Sequence, residues 1–153
     1  MKFRNDINGL RALAVIGVLF YHSKYLKFES GFLGVDIFFV ISGYLITRLI
    51  LKQIDEGVFS LKNFYIKRYR RLVPALNISI IFSLILFICF YFPYDLNDFK
   101  ESLIYTIFFL SNFYFWRSID YFNPEVETEL LAHTWSLGIE EQFYILYPII
   151  III

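Results

Sequence analysis

The sequence predicts an all-α membrane protein, a polytopic bundle of transmembrane helices, and three observations carry that reading. Apolar residues fill 58% of the 153 positions and aromatic residues 22%, with a mean hydropathy of +0.59. A water-soluble chain of this length has too little interior to hide so much apolar surface. The apolar residues also fall into long, nearly uncharged runs, the length an α-helix needs to cross ~30 Å of hydrocarbon. Finally, charges of opposite sign segregate along the chain, as they do on the two sides of a membrane. The zero net charge excludes a nucleic-acid binder held by bulk electrostatics. The one cysteine, Cys89, lies in an apolar run, so no disulfide framework exists.

Taken in order, the first run covers residues 10–26. It starts behind Lys2, Arg4 and Asp6 and has no small-residue cleavage site, so it is expected to stay as a first span. The second, 32–51, is interrupted only by Asp36 and Arg48. The third, 75–92, is uncharged and follows Pro74, a residue suited to a helix's first turn, which places a helix start there. The fourth starts near Phe143 and is still open at Ile153. Residues 1–153 are therefore expected to be the front part of a longer membrane domain, cut inside a transmembrane helix.

Charge sets the expected orientation. Lys2, Arg4 and Arg11 outweigh Asp6 on the N-terminal flank. Between positions 48 and 71, Arg48, Lys52, Lys62, Lys67, Arg68, Arg70 and Arg71 outweigh Asp55 and Glu56. Both stretches should be cytoplasmic, with the N-terminus inside, the first span running outward and His22 in the outer half. Residues 93–141 hold only Lys100 and Arg117 against nine carboxylates and should be external. Within them, 103–116 is apolar but only about 21 Å long as a helix. A re-entrant or interfacial helix anchored by Tyr114 and Trp116 is expected there, with a short tilted span as the alternative.

The ionisable residues in these runs carry the chemistry. His22 follows Arg11 by eleven residues, about three turns, so both sit on one helix face roughly 16 Å apart. Intramembrane ionisable groups cost several kcal/mol unless they face a cavity or a partner, and so mark functional sites. The position also fits a headgroup boundary beside Tyr21, Ser23 and Lys24. Asp36, just inside the second span, either satisfies helix N-terminal amides or pairs with His22 or a substrate hydroxyl. Ser42 and Gly43, at mid-helix, allow close approach of a neighbouring helix or a thin ligand. The cluster 67–71 reads as a topology or lipid-binding signal. Its Arg68 and Arg71, three apart, also share a helix face and can hold a phosphate bidentately. The block 133–144 places Glu140 and Glu141 at the mouth of the last apolar helix, where they cap its N-terminus or, with Trp135, Ser136 and Gln142, line a polar path.

Four of these features together resemble the acyltransferase-3 family of bacterial membrane O-acyltransferases: Arg11 with His22, the stretch 31–46, Arg68-x-x-Arg71 ahead of Pro74-Ala75-Leu76, and the block from Trp135 to Tyr144. They occur in order over nearly the whole chain. The resemblance implies a membrane domain of about ten helices, of which this chain is the first part, in the bacterial cytoplasmic membrane. It implies transfer of an acyl group, commonly acetyl, from acyl-CoA to a hydroxyl of a surface glycan or glycolipid such as O-antigen. His22 matches the family's essential first-helix histidine, Arg11 its upstream arginine, and Arg68 and Arg71 its arginine pair associated with acyl-CoA. A neutral imidazole would take the proton of the attacking sugar hydroxyl, oriented by Glu141, Glu140 or Asp36. No metal and no permanently bound cofactor is expected; acyl-CoA is a substrate, and membrane lipids surround the protein. A glycan or lipid transporter or flippase shares the polar path but lacks acyl transfer, and a non-catalytic assembly subunit would tolerate loss of His22.

Overall fold

The computed structural model describes residues 4–23, 29–91, 96–118 and 129–152, and the regular structure among them is all-helical. In order these are α1 (Asn5–His22), a 3-10 turn (Glu29–Phe32), α2 (Leu33–Asp55), α3 (Leu61–Phe90), α4 (Leu96–Ile107), α5 (Ser111–Ser118) and α6 (Thr134–Ile152). Two stretches among the described residues are long and apolar enough to cross a membrane, Ser30–Asp55 and Leu61–Phe90, with mean hydropathies of 1.8 and 2.5. The end of the expected first run and the whole acidic stretch 119–128 lie outside the described residues. The chain divides into two compact units, Met1–Phe59 and Ser60–Ile153.

In the first unit α1 and α2 form an antiparallel hairpin whose backbones touch. A Cβ on Gly31 would strike the Gly17 carbonyl, and one on Gly34 the Ala14 carbonyl. Only small residues permit that approach, which gains dispersion contact without needing a hydrophobic driving force. In this hairpin the close contact is that of Ala14 and Gly17 against Gly31 and Gly34. At the hairpin's open end Arg4 binds Asp6 (2.9 Å), and the Tyr44 hydroxyl accepts from Arg4 (3.5 Å) and Arg48 (3.4 Å). The Arg4 hydrogen bond and charge hold the Asp6 carboxyl down at about 2 and raise the Arg4 guanidinium.

In the second unit α3 starts thirteen residues before Pro74, not at it. Ser60 caps it, its Oγ accepting from the Asn63 amide at 3.4 Å. The helix continues through Pro74, which has no N–H to return to the Arg70 carbonyl. At 30 residues α3 is about 45 Å long, so its basic first third extends beyond the ~30 Å its apolar part fills. Phe87 stacks on Phe99 at 4.2 Å and forms, with Leu131, a small core joining α3, α4 and the turn ahead of α6.

The segment 103–116 is not one helix. It breaks at residues 108–110, where Phe109 adopts a left-handed φ of 57°, and α5 doubles back beside α4. The Tyr114 hydroxyl donates to the Asp98 carbonyl (3.3 Å), tying α5 back to the first turn of α4. Two short helices folded side by side is the geometry a re-entrant element would have. Tyr114 is buried and so is no lipid anchor, whereas Trp116 is 83% exposed.

Helix α6 also starts earlier than its apolar run, at Thr134, and runs antiparallel to α3: His133 meets Ser79 and Ile145 meets Tyr65. Glu140 and Glu141 consequently lie two turns inside the helix and cannot cap its N-terminus.

Candidate functional site

Arg68, Glu140 and Glu141 come together where the basic third of α3 lies along α6. The Tyr65 hydroxyl donates to the Ile145 carbonyl at 2.8 Å, pinning the two helices. One turn on, the half-buried Arg68 guanidinium lies over the rings of Tyr144 (5.0 Å) and Phe64 (5.6 Å). A guanidinium held by aromatic faces keeps its in-plane N–H groups for a two-pronged anion. The Tyr144 hydroxyl donates to Glu140 through a short hydrogen bond. Glu140 and Glu141 are near enough to attract Arg68, and Arg71, exposed one turn further along α3, repels it.

Glu141 is the anomaly. It is 9% exposed, and its Oε1 is buried with no hydrogen-bond partner among the described residues. An unpaired buried carboxylate oxygen costs on the order of 1–3 kcal/mol or more. Such an atom is the natural acceptor for a ligand's donor group.

Next to this cluster α6 receives the tip of the re-entrant pair. A Cβ on Gly138 would lie 3.1 Å from the Phe109 carbonyl and from Asn112 Oδ1. Gln142 Nε2 donates to that carbonyl (2.9 Å) and to Asn112 Oδ1 (2.8 Å), and Asn112 Nδ2 donates back to Gln142 Oε1 (3.3 Å). Thr106 and Thr134 share a hydrogen bond at 3.1 Å, and Ser111 donates to the Thr134 carbonyl at 2.8 Å. Every polar group named at this tip therefore has its partner inside the protein. Trp135 and Ser136 are half-buried on the first turn of α6, and the Ser136 hydroxyl donates to the His133 carbonyl (3.4 Å).

The sequence did not single out Ser79, whose Oγ lies 2.8 Å from His133 Nε2. Part of the His133 ring reaches the surface, yet desolvation outweighs its Leu130 hydrogen bond and holds the imidazole below its ordinary value, favouring the neutral form.

The other predicted residues belong to the first unit. His22 is the last residue of α1, exposed, its ring edge-on to Tyr21 at 5.3 Å. Arg11 is half-buried on the same helix, and Ser42 is half-buried on α2. Asp36 is exposed in the first turn of α2. The hairpin register, Gly17 opposite Gly31 and Ala14 opposite Gly34, sets Asp36 opposite Ala12, ten residues or about 15 Å along the axis from His22. That distance excludes Asp36 as the group that orients His22 in this hairpin.

A family profile described as an acyltransferase domain, acyltransferase-3, matches residues 4–153. The chain belongs to the acyltransferase-3 family. It is similar to the peptidoglycan O-acetyltransferase OatA of Listeria monocytogenes, 40% identical over 99% of this chain and 25% of the relative. The O-acetyltransferase OatA of Staphylococcus aureus is 43% identical over 98% of this chain and 25% of its own length. The chain thus spans about a quarter of these relatives. No solved structure matches it.

Proposed function

We propose that this chain is the leading part of a membrane-bound O-acyltransferase, which moves an acyl group from acyl-CoA to a hydroxyl of a bacterial cell-surface glycan or glycolipid. The carrying observation is Arg68, half-buried on Tyr144 in a strongly basic stretch, beside a buried Glu141 oxygen with no partner. A topology or lipid anchor has no use for a guanidinium drawn inward against α6, whereas a phosphate-bearing donor has. The CoA phosphates rest on Arg68 and Arg71, with Arg11 in the same binding role. His22 acts as general base toward the acceptor hydroxyl, and Trp135, Ser136 and Ser42 line the substrate path. Acetyl is the favoured acyl group, because both relatives are named O-acetyltransferases. The name of the Listeria relative favours peptidoglycan as acceptor over O-antigen. The N-terminus and the basic stretch face the cytoplasm, where acyl-CoA is found, and the carboxylate-rich connections face outward.

The test uses purified full-length protein. Replacing Arg68 and Arg71 together with Ala should weaken binding of acetyl-CoA and of free CoA alike by at least about tenfold, since each charge-assisted bond is worth roughly 1.5–3 kcal/mol. Lysine at both positions should rescue only in part. Changing Lys52 and Lys62 should matter far less; equal small effects at all four positions would return the cluster to a lipid anchor. A protein that moves glycan but never transfers acetyl would be a flippase instead.

A further inference from the structure

The donor reading leaves one reactive pair unused. Ser79 is a hydroxyl inside the most apolar stretch of the chain, and its Oγ meets His133 Nε2 at 2.8 Å across the α3–α6 contact. In the tautomer that leaves Nε2 unprotonated, the serine hydroxyl donates its proton to that nitrogen. A serine hydroxyl on an imidazole base is the pairing that activates serine for acyl chemistry.

Position strengthens the case. Ser79 follows Arg68 by eleven residues, three turns, so the two share a face of α3 about 16 Å apart. Their partners, His133 just ahead of α6 and Tyr144 within it, are also eleven apart. The groove between the helices therefore carries a guanidinium at one level and a serine–histidine pair three turns above it. That span is comparable to the reach of an extended pantetheine arm.

We propose that Ser79 and His133 form a nucleophile–base pair that carries the acyl group as a serine ester between acyl-CoA and the acceptor. In the first half, Ser79 Oγ attacks the thioester carbonyl, the C–S bond breaks, the serine proton moves to His133 Nε2 and CoA leaves as its thiolate. In the second, the acceptor hydroxyl attacks the ester and its proton passes to the base serving the acceptor. His133 then returns its proton to the serine oxygen as that C–O bond breaks. The one proton released overall is taken by the CoA thiolate. This inference rests on the acyl-CoA reading above.

Full-length protein incubated with radiolabelled acetyl-CoA and no acceptor should retain label through denaturation, on the peptide containing Ser79. Hydroxylamine should release it. Ser79→Ala should remove the label and lower transfer about a hundredfold or more, and His133→Gln should slow labelling similarly. Ser79→Cys, which keeps size and hydrogen bonding, should trap the label as a thioester, and initial rates should follow ping-pong kinetics. Undiminished transfer by folded Ser79→Ala, or transfer by wild type with no label at Ser79, would overturn the serine ester and leave the acyltransferase reading intact. Wild type that binds no CoA and transfers nothing would overturn both.

Discussion

Replacing Gln142 with Leu removes the clamp that holds the re-entrant tip, and the structure sets the size of the effect. Gln142 makes three hydrogen bonds, two donated by Nε2 to the Phe109 carbonyl and Asn112 Oδ1 and one accepted from Asn112 Nδ2. Leucine fills similar space, so the cost is the groups left behind. The Phe109 carbonyl, on a residue already in the left-handed region, loses its partner, and so do both ends of the Asn112 amide. An unsatisfied buried polar group costs roughly 1–3 kcal/mol, and partial rescue by water or rotation of Asn112 lowers the sum. The expected loss is about 2–4 kcal/mol, read as a lower unfolding midpoint of the full-length protein in detergent. A double-mutant cycle sharpens the test: Asn112→Leu with Gln142→Leu should cost clearly less than the two single changes added, leaving a coupling of about 1–3 kcal/mol. A Gln142→Leu protein within about 0.5 kcal/mol of wild type, or strict additivity, would show that the clamp does not hold the tip.

Three further outcomes are expected. His22→Ala should lower glycan acetylation by about 10²–10⁴-fold with expression and insertion intact, and near-normal acetylation in cells would remove His22 from the chemistry. A reporter fused after Ile54 should read cytoplasmic, and reporters at Asp98 and Glu129 should both read external; opposite answers at the last two would make α4–α5 a true crossing. Gly34→Val should destabilise the α1–α2 hairpin by about 1–3 kcal/mol, because the atom a Cβ would strike is the Ala14 backbone and cannot rotate away. The same change at the open position Gly9 gives the control, and equal midpoints would refute the close packing.

The sequence made the apolar bodies of α2 and α3 legible because periodic charge-free runs report hydrocarbon directly. It misled at their ends. Pro74 looked like a helix start, since a proline ahead of an uncharged run usually is one, while Ser60 and the thirteen residues after it, rich in basic and aromatic side chains, carried the same helix further back. The α6 start was hidden likewise, because Thr134 to Gln142 is polar enough to pass for a loop mouth. Nothing local announces the break at residues 108–110, which contain neither Gly nor Pro. That turn is imposed by Gly138 and Gln142, some thirty residues later. Arg68 could be named from its spacing, but its inward lean onto Tyr144 depends on α6. Ser79 and His133, 54 residues apart, meet only through the antiparallel pairing of two helices.

The re-entrant pair also dictates an order of assembly. Residues 96–118 leave the ribosome before 134–152, yet α4 and α5, twelve and eight residues long, are too short to partition into the bilayer as spans. Their tip, with the Phe109 carbonyl, Ser111 and Asn112, finds its hydrogen-bond partners on α6. Until α6 arrives, that tip belongs at the aqueous face, where water serves the same groups. The pair is therefore expected to dock late, onto a helix synthesised after it. A ribosome-bound chain arrested before Thr134 would hold residues 96–118 outside the hydrocarbon.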